Sequence, residues 1–337
     1  MSNEKWSKEK AKAWYEGIGP VRGFNYVTGT AVNSTEMWQA DTFDLQTIDK
    51  ELGWAKQAGL NQARVFLQYV VWEADREGYI HRMKQFLEIA SGHGILTMFV
   101  LFDDCAFSGK QPYVGKQPEP VSGVHNSGWT PSPGFELALS SDQWSPLERY
   151  VKDIVGQFST DPRVLVWDLY NEPGNSNLGD QTMPLVEAAF AWAREVEPDQ
   201  PLTVGPWGGI SEAMSSRLLE LSDVLSFHYY GLPNRLNLSF ILDECRRLDR
   251  PALCTECLHR QSGSTLIAVL PLFAQENIGW YVWGLVQGRT QTWLHWSSKE
   301  GFPPPAIWQH DLFHPDGTPY DAAEIDLIKS WPLASAR

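Results

Sequence analysis

Two acidic residues stand where the chain has just completed an apolar run. Glu172 follows Val164-Leu165-Val166-Trp167-Asp168-Leu169-Tyr170-Asn171 and precedes Pro173. A run this rich in β-branched and aromatic residues reads as a buried parallel strand, and the proline, lacking an N–H, ends it. Glu256 closes a second run, Ala252-Leu253-Cys254-Thr255. A carboxylate just past a buried parallel strand is where an α/β barrel places its chemistry. Two such carboxylates on opposite lips of one barrel can flank a single glycosidic bond, one protonating the leaving oxygen and one attacking the sugar carbon. Each residue also has a plainer reading, a helix cap or ion pair for Glu172 and an ordinary strand-end acid for Glu256. Only the fold can bring the two together.

The elements that must position them recur along the chain. Apolar runs begin near residues 21, 62, 95, 163, 202, 224, 252 and 279. Most are followed by residues with helical spacing, such as Leu45, Ile48, Leu52 and Ala55 within 44–58, or Met83, Phe86, Leu87 and Ala90 within 81–93. Further helices are expected over 1–20 (part), 146–158, 184–197, 212–221, 238–248, 265–276 and 322–329. Eight strand-then-helix units predict a single (β/α)8 barrel spanning residues 1–337. A doubly wound open sheet is disfavoured because no glycine-rich turn follows the first strand. Two stretches, 103–145 and 287–320, break the rhythm and read as long loops, which in compact domains are usually lids or walls of a site.

Composition narrows the partners. The chain has 337 residues and a net charge of −14, which excludes nucleic acid as the natural partner, because phosphate binding needs a concentrated positive field. No run of about 18 apolar residues predicts a membrane span. The start, Met1-Ser2-Asn3-Glu4-Lys5-Trp6, has no apolar leader core, so the expected location is cytoplasmic. Four cysteines are too few for a disulfide scaffold. Cys254 and Cys257 form a CxxC, but residues three apart on a strand should point to opposite faces, so no shared metal is expected there. The 16 tryptophans are either core bulk or flat platforms for sugar rings.

The segment Trp167-Asp168-Leu169-Tyr170-Asn171-Glu172-Pro173 resembles the acid/base motif of retaining glycoside hydrolases of the cellulase type, family 5 of clan A, over roughly residues 20–330. The resemblance implies Glu172 as general acid/base and Glu256 as nucleophile, with no cofactor and a carbohydrate substrate. Arg64 matches the arginine that hydrogen-bonds the nucleophile, and its guanidinium would favour the charged form of Glu256. Asn171 matches the residue that contacts the substrate 2-hydroxyl. His228 and Tyr230 match a His-x-Tyr in which the tyrosine orients the nucleophile and the histidine supports the acid/base. Trp283 matches the floor beneath the reacting sugar.

The sequence departs from that pattern after the third strand, where relatives often carry a histidine and this chain has Asp103-Asp104-Cys105. Asp103 or Asp104 is expected to face the sugar and accept bonds from its hydroxyls; an acidic pair could also hold a cation. Residues 307–313 are similar to a branch often labelled β-xylanase, in which arabinofuranosidase and galactofuranosidase activities also occur. Candidate platforms are Trp38, Trp129 and Trp144, with Trp293, Trp296 and Trp308 and the nearby His295 in the second loop. Loops this long would turn an open cleft into a pocket and favour exo-action on oligosaccharides or small glycosides. An endo-acting β-1,4-glycanase on xylan, mannan or glucan, a furanosidase, and a barrel that binds sugar without cleaving it stay open at this point.

Overall fold

The computed structural model describes residues 4–107 and 109–331. Eight strands form one parallel sheet: β1 (Arg22–Tyr26), β2 (Gln62–Phe66), β3 (Leu96–Asp103), β4 (Val164–Asn171), β5 (Leu202–Thr203), β6 (Leu225–His228), β7 (Ala252–Cys257) and β8 (Gly279–Val282). Their order is β5-β4-β3-β2-β1-β8-β7-β6, so the first and last strands pair and the sheet curls on itself. β5 has only two residues and forms no ladder with β6. That seam is held instead by Asp223 N donating to Leu202 O (2.8 Å), Thr203 Oγ1 to Val224 O (2.8 Å) and His228 N to Pro206 O (3.1 Å). The result is the (β/α)8 barrel that the alternation of runs predicts.

Helices surround the sheet because each presents one apolar stripe. The helix Leu45–Gln57 buries Ile48, Leu52 and Ala55, and Asp44 caps it by accepting from Thr47 N. The helix Ser145–Gln157 carries proline in its first turn and buries Leu147, Tyr150, Val151, Ile154 and Val155. The N-terminal helix Lys8–Ile18 buries Ala11 in a cluster with Val21, Met98, Val166, Val224, Leu253 and Tyr281. Trp6, Trp14 and Ile18 pack onto the same cluster. No helix among the described residues is long and apolar enough to cross a membrane.

Three short helices, Ser34–Trp38, Tyr69–Ala74 and Phe135–Leu139, lie in stretches that the sequence pattern leaves as loop, because five or six residues are too few to show a period. The helix expected from His81 starts at Arg76, where the Asp75 side chain accepts from Gly78 N; the early glycine hides that cap from a periodicity count. β8 stops at Val282, inside the apolar run 279–285 that begins it. Gly284 takes φ +79°, and a Cβ there would sit 2.1 Å from Asp311 Oδ1, so the chain turns away where only glycine fits.

One expectation fails for an instructive reason. Cys254 and Cys257 do not point to opposite faces. Cys254 pairs with Trp280 and Cys257 with Val282, three steps on β7 against two on β8, which is a β-bulge. Both thiols are free, fully buried and in the apolar cluster that joins the sheet to its helices. The same extra residue acts on Glu256. Strict alternation would put Glu256 on the outer face with Cys254; the bulge brings it to the barrel interior, within 2.7 Å of Arg64.

Candidate active site

Arg64, on β2, is wholly buried, and all five of its N–H donors are used. Nε and Nη2 donate to Asp168 Oδ2 (2.9 and 2.8 Å), Nη2 also to Asn171 Oδ1 (2.7 Å), and Nη1 to Asn25 Oδ1 (2.8 Å) and Glu256 Oε1 (2.7 Å). One guanidinium thus ties β1, β2, β4 and β7 together under the mouth of the barrel. Asp168, in the middle of β4, is with Glu256 one of the two carboxylates that balance its charge. The sequence signal for it was a carboxylate inside a buried run.

Glu256 and Glu172 rise from this base. The second oxygen of Glu256 accepts from Tyr230 Oη at 2.7 Å. Glu172 has φ +43°, a left-handed conformation uncommon for a residue with a side chain, which kinks the chain as β4 ends. Its Oε1 is 2.8 Å from His228 Nδ1, and its Oε2 accepts from Cys105 Sγ (3.2 Å) and Asn175 Nδ2 (2.5 Å). His228 Nδ1 also lies 3.3 Å from Glu256 Oε2, so the imidazole sits between the two carboxyl groups. An oxygen of Glu172 and an oxygen of Glu256 are within 4.8 Å of one another.

Burial pushes the Glu172 carboxyl above the ordinary range, while the Cys105 and Asn175 bonds pull it part of the way back. Glu256 is also raised by burial, against the pull of His228, Arg64 and the Tyr230 hydroxyl. The guanidinium therefore opposes the shift of Glu256 without reversing it. Burial drives His228 down to about 4, so at neutral pH its ring is uncharged and Nδ1–H donates to the carboxylates.

Both glutamates line a cavity of about 550 Å³, with Asn171, His228, Tyr230, Trp129, Trp283 and Trp296. Trp283 and Trp129 meet edge to face, ring centroids 6.2 Å apart, and Trp296 is the outermost, 47 % exposed. Cys105, Asn175, Trp207, His125, Asn126 and His310 line it as well and were not singled out from the sequence, because they sit in loops without a pattern.

Several expected contacts are not made. Trp38 is fully buried, stacked on Phe43 and wedged against Tyr79 and Phe86, with Nε1 donating to Phe66 O; no face of it is open to a sugar. Trp144 packs on Trp192 against the helix layer, and Trp308 stacks on Tyr320. Asp103 and Asp104 are buried behind the cavity wall rather than facing it. Asp103 accepts from Asn171 Nδ2 (2.8 Å), Cys105 N (2.9 Å) and Trp129 Nε1 (2.7 Å); Asp104 accepts from Tyr170 Oη (2.6 Å) and Gly174 N (2.8 Å). Their acceptor capacity is spent on protein donors, and burial lifts them to about 6 and about 7. Neither belongs to a ligand-like cluster among the described residues. The one group with such spacing is Glu172, His228 and Glu256 themselves. There the Arg64 guanidinium and the Tyr230 hydroxyl already satisfy both oxygens of Glu256, which disfavours a second cation.

A parallel eight-stranded barrel with two carboxylates converging at the carboxyl ends of β4 and β7 defines a glycoside hydrolase. The chain belongs to the Cellulase family (glycosyl hydrolase family 5), which matches residues 21–299. No curated protein matches it in sequence. Its fold is similar to that of an endo-beta-1,4-mannanase from Thermotoga petrophila, at 13% identity and TM-score 0.59 over 92% of this chain and 76% of that one. A GH5_18 protein from Streptomyces cattleya, solved in complex with GlcNAc, aligns at 12% identity and TM-score 0.60 over 94% and 82%. The exo-beta-1,4-mannosidase Op5Man5 from Opitutaceae bacterium strain TAV5 aligns at 17% and 0.60 over 92% of this chain and 59% of its own.

Proposed function

We propose that the protein is a retaining, exo-acting glycosidase that removes terminal sugars from oligosaccharides or small glycosides. The observation that carries the mechanism is the approach of the Glu172 and Glu256 carboxyl oxygens to within 4.8 Å, with Arg64 and Tyr230 holding one of the two glutamates. Carboxyl groups about 5–5.5 Å apart leave no room for an intervening water and suit double displacement. Glu256 attacks the anomeric carbon as the bond to the leaving oxygen breaks, and Glu172 gives that oxygen its proton. Glu172 then takes a proton from water, the water attacks the anomeric carbon, and Glu256 is released. Burial of Glu172 favours its holding a proton before the first step, and neutral His228 orients it without competing for that proton.

Exo-action is supported by how the loops after β3 and β8 are joined. Gly123 N donates to Gln291 Oε1 (3.1 Å), Gln291 Nε2 to Val121 O (2.8 Å), and Asn126 N to Thr290 O (2.9 Å). Arg289 pairs with Glu119 at 2.9 Å. β1 and β2 lie between β8 and β3, so this seam walls the mouth above them. The remaining rim comes from the loops after β5 and β6, through Trp207, Tyr229 and Gly231. A cleft closed on one side takes a chain end. Turnover of aryl arabinofuranoside, galactofuranoside, xyloside, mannoside and glucoside tests the reading. At least one is expected to be cleaved, and Glu256→Ala should lower that rate by about 10⁴-fold or more. Undiminished turnover by this variant would remove the proposed nucleophile.

A further inference from the structure

Two loop residues bear on where a proton can sit on Glu172. Glu172 Oε2 accepts from Cys105 Sγ (3.2 Å), on the loop after β3, and from Asn175 Nδ2 (2.5 Å), on the loop after β4. Both donors line the cavity beside Glu172. Each is held in place. Asn171 Nδ2 donates to the Cys105 sulfur at 3.5 Å, which leaves the thiol its own proton to give to Glu172. Burial, with Asp103, Glu172 and Glu256 nearby, pushes the thiol up, so it keeps that proton. Asn175 Oδ1 accepts from Ser176 N (2.5 Å), which turns the amide nitrogen toward the carboxyl group. The two loops are laced together, Ala106 N donating to Ser176 Oγ (3.1 Å) and Ser176 Oγ to Asp104 O (2.8 Å). A carboxyl oxygen offers about two lone pairs, so both of those on Oε2 are taken by protein donors. Among the described residues Oε1 bonds only His228 Nδ1, at 2.8 Å, and keeps a lone pair for a proton. The same imidazole nitrogen is 3.3 Å from Glu256 Oε2, so Oε1 shares a neighbour with the opposing glutamate.

We propose that Cys105 and Asn175 are positioning residues that confine the transferable proton of Glu172 to Oε1. A proton on Oε2 would have to displace the thiol or the amide, at the cost of a hydrogen bond. On Oε1 it displaces neither and lies on the side of Glu256. In the first step the Oε1–H bond breaks, its electron pair stays on Glu172, and the leaving oxygen gains the proton. In the second step the incoming water returns a proton to Oε1. Oε2 keeps its two donors throughout, so the carboxyl group need not turn between the steps. The assignment rests on the proposed glycosidase reading but adds to it, since neither residue exchanges a proton with the substrate.

The test measures kcat/KM across pH for glycosides of one sugar whose leaving groups run from dinitrophenol to a simple alcohol. A good leaving group needs little help from an acid, and a poor one needs it fully. Cys105→Ala and Asn175→Ala should each lose roughly 5- to 10-fold on the alcohol glycoside, the scale of one net hydrogen bond. The loss on the dinitrophenyl glycoside should be clearly smaller. At the same time the alkaline limb of the profile should move to higher pH. Both donors favour the carboxylate, so removing either raises the pKa of Glu172. Mere loosening of the loops would instead reduce the burial that raises this group, and the limb would move down. Cys105→Ser, which keeps a donor, should bring back both the limb and the rate on the alcohol glycoside. Equal losses on every leaving group, or a limb that stays or moves down, would overturn the assignment. The two alanine variants lie on different loops, so either one decides the matter if the other fails to fold. Absence of turnover by the unaltered enzyme on every glycoside would count against the glycosidase reading itself.

Discussion

The strand side and the loop side of the cavity are bonded differently. On the strand side every donor of Arg64 is used, both oxygens of Glu256 are engaged, and Glu172 is held by three residues. On the loop side His125 and Asn126 are just as buried yet leave three polar atoms without protein partners. A densely bonded network fixes geometry, which the proposed chemical step needs. The difference teaches where each job sits: strand ends hold the paired carboxylates of the proposed reaction, and the joined loops after β3 and β8 shape the mouth above them.

Breaking the strand side should cost most. Arg64→Met leaves Asp168 and Glu256 buried beside each other without their cation, and Asn25 and Asn171 without a donor. A loss of about 3–5 kcal/mol in urea unfolding is expected. A loss under about 1 kcal/mol would mean that the network contributes little to the fold. Asp103→Asn strikes the join between the two sides, since an amide cannot accept from Asn171, Cys105 and Trp129 together. It should lose about 1–3 kcal/mol and raise KM, because Trp129 lines the cavity. Its pH dependence has a definite sign. Burial raises Asp103 from 3.8 to about 6, so the folded state holds that proton more tightly than the unfolded chain does. The stability from protonation is complete below about pH 4 and is lost as pH rises through about 6. The deficit of Asp103→Asn should therefore be largest near pH 4 and shrink toward pH 7, as unfolding curves at several pH values would reveal. The smallest effect belongs to the outer rim. Trp296→Ala should change stability by no more than about 0.5 kcal/mol, because the ring is half exposed, while raising KM for aryl glycosides.

Much of the strand side was legible in the sequence. The starts of all eight strands follow from apolar runs, and Arg64, Asn171, Glu172, His228, Tyr230 and Glu256 stand at or near strand ends, where position in the chain fixes position at the mouth. What could not be read depended on contacts rather than pattern. The bulge in β7 that turns Glu256 inward needs the register of β8. Trp38 has the composition of a platform, and only packing shows that it is core. Asp103 and Asp104 are acceptors as expected, but sequence cannot tell a sugar hydroxyl from Trp129 or Tyr170 as the donor. His125 and Asn126 lie in a stretch without periodicity, and their adjacency to the cavity exists only once the loops after β3 and β8 are sewn together.

The central claim is that Glu256 attacks the anomeric carbon while Glu172 gives a proton to the leaving oxygen and then takes one from the incoming water. Its most direct test is the proton NMR spectrum of the sugar released in the first minutes from a cleaved aryl glycoside, before mutarotation. The account predicts that the anomeric configuration of the substrate is kept. A first-formed product of opposite configuration would contradict it.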